Sequence, residues 1–101
     1  MPVVDSAVFV ALADASRRRI LGRLAQGPAT TGQLAELLPI SRPAVSQHLR
    51  LIQDAGLVRT ETIGRHRWHA LNPDVLLALA QWATDVVARH AKSPALMKEK
   101  P

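Results

Sequence analysis

Apolar positions recur three and four residues apart along most of the chain, the spacing that lines one side of an α-helix. Val8, Phe9 and Leu12 set the first such face and predict a helix over 6–13, with Asp5 or Ser6 as its N-cap. Ile20, Leu21 and Leu24 set a second over 15–26, ended by Gly27-Pro28. A short third helix carries Leu34, Leu37 and Leu38; Thr30 caps it, with Gln33 completing a capping box, and Pro39 stops it. Ser41 caps a fourth helix, with Pro43 in the first turn where a missing N–H costs little. That helix reaches Asp54 or Ala55, and Gly56 suits the position just past its end. The period then changes to two. Val58, Thr60 and Thr62 alternate over 57–63, and 66–71 returns as a second strand around a Gly64-Arg65 tip. Trp68 is expected to cover the end of the core. Pro73 opens a last helix running to His90 or Ala91.

These elements predict a mostly α fold with a small β-hairpin wing, about five helices and a two-stranded antiparallel wing. A short helix, a Pro-containing turn and a longer Ser-capped helix have the layout of a helix-turn-helix; the hairpin makes it winged. With 101 residues the chain accommodates one domain, expected over 1–91, followed by a flexible tail over 92–101.

The fourth helix has two unlike faces. With Val45 set to zero and about 100° per residue, Leu49 and Ile52 fall within about 40° of it and mark the buried stripe. Ser46, Arg50, Pro43 and Gln47 fall between about 100° and 200°, on the opposite side. That outer face is small, polar or cationic, and no acid appears before Asp54. A helix face designed only for solvent usually mixes Glu with Lys. Duplex DNA penalises acids against its phosphates, while Gln and Arg match adenine and guanine edges in the major groove. His48 lies beside the buried stripe and is expected to pack or hydrogen-bond rather than read bases. Leu51 is expected to pack against the strands that follow.

Charge sharpens this picture. Thirteen Lys and Arg face eight Asp and Glu, a net charge of +5. Residues 41–70 hold Arg42, Arg50, Arg59, Arg65 and Arg67 against Asp54 and Glu61, a net +3 of that excess. A basic centre favours an anionic partner, and Arg in particular binds phosphate and guanine through its planar fork. Arg65 at the wing tip, with Arg67 beside it, suits the minor groove or flanking phosphates. Arg17, Arg18 and Arg19 crowd the first turn of the second helix, against its dipole. Two readings stay open for them: a role beyond stability, or pairing with Asp14 and other acids.

The chain has no cysteine, which excludes disulfides, thiolate metal sites and thiol chemistry. No apolar run approaches the ~18–20 residues of a membrane span, and residues 1–12 lack the basic leader of a signal peptide, so a cytoplasmic location is expected. There is no nucleophile–base pair, no Gly-rich phosphate loop and no catalytic carboxylate pair, so no enzyme activity, catalytic residue or cofactor is expected. His66 and His69 fall on opposite faces of a strand, and a lone His90 on an apolar stripe reads as a packing residue, so no metal site is expected.

The last helix is unusually apolar. Leu76, Leu79, Ala83, Val86 and Val87 share one stripe, and Val75 and Trp82 widen it. Together with Val8, Phe9 and Leu12 of the first helix, these positions predict a homodimer interface. A two-fold dimer would match the module to two DNA half-sites.

The segments "FVALADASRRRILGRLAQG", "TTGQLAELLPISRPAVSQHLRLIQDAGLV" and "GRHRWHALNP" span residues 9–73 almost without gaps. Through them the chain resembles the ArsR/SmtB family of bacterial winged-helix repressors. The resemblance implies a dimeric transcriptional regulator that releases operator DNA on a signal. It places Ser41, Arg42, Ala44, Ser46 and Gln47 on the recognition helix and Arg65 on the wing. Arg50 and Arg67 join this set from the helix face and the hairpin. The family's metal sensors carry a Cys-Val-Cys pattern where Thr30 and Gly32 stand here. Their terminal-helix zinc site uses an Asp-x-His pair, and Asp85-Val86-Val87 lacks that His. The resemblance is therefore to the metal-independent branch, and it names no inducer. Double-stranded operator DNA and a second copy of the chain are the expected partners, with no membrane. Two other readings are a metal-responsive repressor using His and carboxylate ligands, and a winged-helix protein-interaction module.

Overall fold

The structure, a computed structural model, describes residues 4–92. Its order is α1 (Ser6–Leu12), α2 (Ala15–Leu24), β1 (Ala29–Thr30), α3 (Thr31–Leu37), α4 (Arg42–Asp54), β2 (Val58–Ile63), β3 (His66–Leu71) and α5 (Pro73–Lys92). Four helix starts are fixed by side-chain caps. Asp5 accepts from the Ala7 N–H, Asp14 from Arg17, Thr30 from Gln33 and Ser41 from Ala44. At Thr30 the capping box is complete, because the Gln33 side chain also accepts from the Thr30 N–H at 2.9 Å. Asn72 performs a similar task for α5, accepting from the Asp74 N–H while its amide donates to the Gly56 carbonyl.

The sheet has three strands in the order β1-β3-β2, all antiparallel. The expected two-stranded wing thus gains β1, whose two residues are too few to show a period in the sequence. Thr60 and Ala29 both face His69 across the ladder, and Glu61 and Thr30 both face Trp68. Since neighbours alternate faces, His69 points to the core and Trp68 to the other side. Trp68 therefore does not cover the core end as expected; it lines an outer groove with Pro28, Glu61 and Ile63.

The core is built by all five helices and the root of the wing. Ile20, Leu34, Val45, Ile52 and Leu57 are its largest fully buried side chains. Leu57 sits there just ahead of β2, which starts one residue later than the alternation predicts. At the far end of the chain Lys92 belongs to α5, one residue past the expected domain boundary; the rest of the expected tail, 93–101, lies outside the described residues. Among the described residues no helix is long and apolar enough to cross a membrane.

Arg17 and Arg18 resolve the conflict at the start of α2. The Arg17 guanidinium donates to the carbonyls of Ala11 at 2.7 Å and Val10 at 2.9 Å, and Arg18 donates to Leu12 at 2.8 Å. These carbonyls lie in the last turn of α1, where intrahelical donors run out; Val10 also accepts from the Ala13 N–H at 3.2 Å. The cations that oppose the α2 dipole thus complement the negative end of α1.

Candidate nucleic-acid interface

α4 is set by its buried stripe. Val45, Leu49 and Ile52 enter the core, which turns Ser46, Gln47 and Arg50 to solvent. Arg42 and Pro43 are exposed at the first turn, and Ala44 is half-buried. Ser41 is exposed, but its hydroxyl is occupied as the cap, accepting from the Ala44 N–H at 3.3 Å. Leu51 departs from expectation. It is 39% exposed and shares a shallow outer groove with Pro43, Ser46, Gln47 and Arg50 instead of packing on the strands. The reason is its angle of about 240°, which clears both the core stripe and the wing.

The wing approaches the same side. Gly64 has φ +62°, and no described non-glycine residue has a positive φ, the pattern of a two-residue turn with glycine at its first central position. Arg65 takes the second, at the tip. A groove of about 640 Å³ runs between α3, α4 and β3, and Arg42, Ser46, Arg65 and Arg67 line it together with Glu36. A smaller recess of about 120 Å³ lies between α4 and β3, where Arg50 and Arg67 meet Ser46 and Thr31. Helix and wing cations thus converge on one concave surface. Among the described residues, Arg42, Arg50, Arg65 and Arg67 have no hydrogen-bond or ion-pair partner, so their donors are available to an external acceptor. Gly32 contributes by lacking a side chain: a Cβ there would stand 3.3 Å from Nη2 of Arg42.

Two histidines support this surface, His69 at the floor of the small recess and His48 behind the outer face of α4. His69 is 3% exposed and bridges α3 to β2, with Nε2 2.8 Å from the Thr31 hydroxyl and Nδ1 3.0 Å from the Thr60 hydroxyl. Its burial, and then the nearby Arg67 charge, lower its pKa below the ordinary histidine value. His48 of α4 is half-buried, and its Nδ1 lies 3.2 Å from Nη1 of Arg17. Neither contact is visible as a sequence motif, because the partners are 31 and 38 residues apart. Among the described residues, no group of three or more His, Asp or Glu side chains could hold a metal ion.

A separate apolar surface lies on α1 and α5. Phe9 and Trp82 meet edge to face, with ring centroids 5.7 Å apart, and join the two helices. Val8 is buried within the chain's own core, and Leu12 and Leu76 pack against that core. Leu79 is half-buried, while Ala83, Val86 and Val87 are exposed. Every described residue of α5 from Ala80 onward is exposed.

A helix-turn-helix domain model matches residues 12–61. The chain is 52% identical over 69 residues to the HTH-type transcriptional regulator Rv2034 of Mycobacterium tuberculosis; the match covers 68% of this chain and 64% of that one, under two thirds of its length. It is 34% identical to the transcriptional repressor SdpR of Bacillus subtilis, over 79% of this chain and 89% of the repressor. The crystal structure of an ArsR family transcriptional regulator superposes with a TM-score of 0.82 at 33% identity, covering 87% of this chain and 91% of that one. An ArsR-like transcriptional regulator from Rhodococcus sp. RHA1 gives 0.81 at 31% identity, covering 86% and 80%. This chain belongs to the ArsR/SmtB family of winged helix-turn-helix transcriptional regulators, which are DNA-binding proteins and not enzymes.

Proposed function

We propose that this chain is a homodimeric, cytoplasmic repressor that reads operator DNA with the outer face of α4 and grips the flanking backbone with its wing. The observation that carries the reading is the single concave surface on which Arg42, Ser46, Arg65 and Arg67 converge, with Gln47 and Arg50 beside it. Gln47 and Arg50 supply the base-reading chemistry; Arg65 and Arg67 supply charge for phosphates. A protein-docking helix would tolerate acids on such a face, and this one has none between Ser41 and Asp54.

The second copy is argued from α5. Helical stability in proteins comes mostly from packing an apolar face, and α5 from Ala80 onward is exposed throughout its described length. On its apolar stripe Trp82 is 50% exposed, Val86 39% and Val87 66%, and a two-fold partner would bury them with Phe9 and Val10. Release of DNA on a signal completes the proposed repressor, in the metal-independent manner that Thr30 and Gly32 suggest.

Selection of duplexes from a random library by the full chain tests this reading. The expected result is one enriched motif with two related half-sites about one helical turn apart, ~10–10.5 base pairs. A library that enriches no motif would contradict it.

A further inference from the structure

α4 packs directly on α1, and one side chain of α2 hydrogen-bonds to both. Arg17 stands in the first turn of α2. Its Nε and Nη2 are committed to the Ala11 and Val10 carbonyls at the end of α1, and its Nη1 reaches His48 Nδ1 on α4. Its backbone N–H is committed too, donating to the Asp14 carboxylate at 3.0 Å. That bond is the leading cause of the lowered Asp14 pKa.

The chemistry of the bridge fixes its polarity. A guanidinium has only donors, so His48 Nδ1 must accept and the ring proton must sit on Nε2. The Asp14 carboxylate, 3.9 Å from the same Nδ1, is then a neighbour and not a hydrogen-bond partner. His48 thus takes the Arg17 contact directly after Gln47, the residue best suited to read a base.

We propose that Arg17 is a positioning residue for DNA recognition: through His48 it sets the angle of α4 relative to the end of α1, and so relative to the face on which a second copy packs. Val10, one of the two carbonyl acceptors, is itself 58% exposed on that α1 face. Movement of α1 against a partner reaches the reading helix through a rigid three-acceptor fork. No flexible loop intervenes. The inference rests on α4 as the reading helix and on α1 with α5 as the dimer face.

The test compares Arg17→Lys, His48→Leu and His48→Asn with the unaltered full chain. Each is titrated by fluorescence anisotropy onto a duplex selected by the unaltered protein and onto a scrambled duplex of the same composition, at a temperature where circular dichroism shows all to be folded. If the unaltered chain does not prefer the selected duplex, the DNA-reading assignment itself fails, before any variant is considered. If it does, Arg17→Lys keeps the charge but cannot span three acceptors. It should reduce the preference about tenfold, the size of one misread base contact, with scrambled-duplex affinity and salt slope nearly unchanged. His48→Leu removes the acceptor and should do the same, and the double variant should be no worse than either single one. His48→Asn keeps an acceptor at the same position and should retain the preference. Equal losses on both duplexes would make Arg17 a sequence-independent DNA contact and overturn the proposal. Lowered melting temperature with the preference intact in all three variants would make the bridge merely structural and overturn it equally.

Discussion

In the proposed DNA interface, Gln47 and Arg65 have different tasks. Gln47 faces outward at mid-helix, where an amide can engage adenine, and Gln47→Ala should relax base preference while leaving affinity for scrambled DNA almost unchanged. Arg65 stands at the wing tip, and Arg65→Gln should weaken binding to all sequences and reduce the salt slope by about one. Anisotropy titrations across a salt series separate the two; equal loss of preference from both would contradict the division. His69 makes a different prediction. Its pKa is lower in the fold than in the unfolded chain, so between those two values the unfolded state binds more protons. Its contribution to stability is complete above about pH 6.5, the ordinary value, and is lost as pH falls below it. The melting temperature should therefore drop from pH 7 toward pH 5, and His69→Gln should flatten that part of the profile. A profile unaltered by the substitution would show that other groups carry the acid sensitivity.

At the scale of elements, caps and glycines decide where helices and strands stop. Ser41→Ala removes the cap of the reading helix and should cost ~1 kcal/mol in denaturant unfolding. Gly56 has φ +79° and a Cβ there would meet Val75 Cγ2 at 3.2 Å, so Gly56→Ala combines backbone strain with crowding against α5. It should cost more than the cap, about 1–3 kcal/mol. These signals explain why so much of the fold is legible in the sequence. Thr30 with Gln33, Ser41 with Pro43, and Gly64 each impose a local geometry that tertiary packing only confirms. The stripe of Val45, Leu49 and Ile52 likewise fixes which side of α4 faces out. What stays hidden depends on distant partners. β1 exists because β3 offers it an edge, and Trp68 faces away from the core because His69 takes the inward place. Arg17 looks like a misplaced cation until α1 is folded against it.

At the scale of the molecule, one chain carries a polar, cationic surface on α4 and the wing and an apolar one on α1 and α5. Val87, 66% exposed near the end of α5, contributes little to the single chain's own core. Val87→Glu should leave the unfolding free energy of a single chain within about 0.5 kcal/mol yet shift sedimentation from dimer toward monomer. It should also weaken binding to a two-half-site duplex far more than to a single half-site, because linked sites gain from effective concentration. An unaltered sedimentation profile would place the dimer contact elsewhere.

Sequence-specific recognition by the α4 surface is the central proposal. The most direct test is a titration of the unaltered full chain onto its selected duplex and onto a scrambled duplex, repeated across a salt series. The selected duplex should bind at least ~10³-fold tighter, with both affinities falling as salt rises. Equal affinities for the two duplexes at every salt concentration would contradict it, leaving a basic surface that binds DNA without reading it.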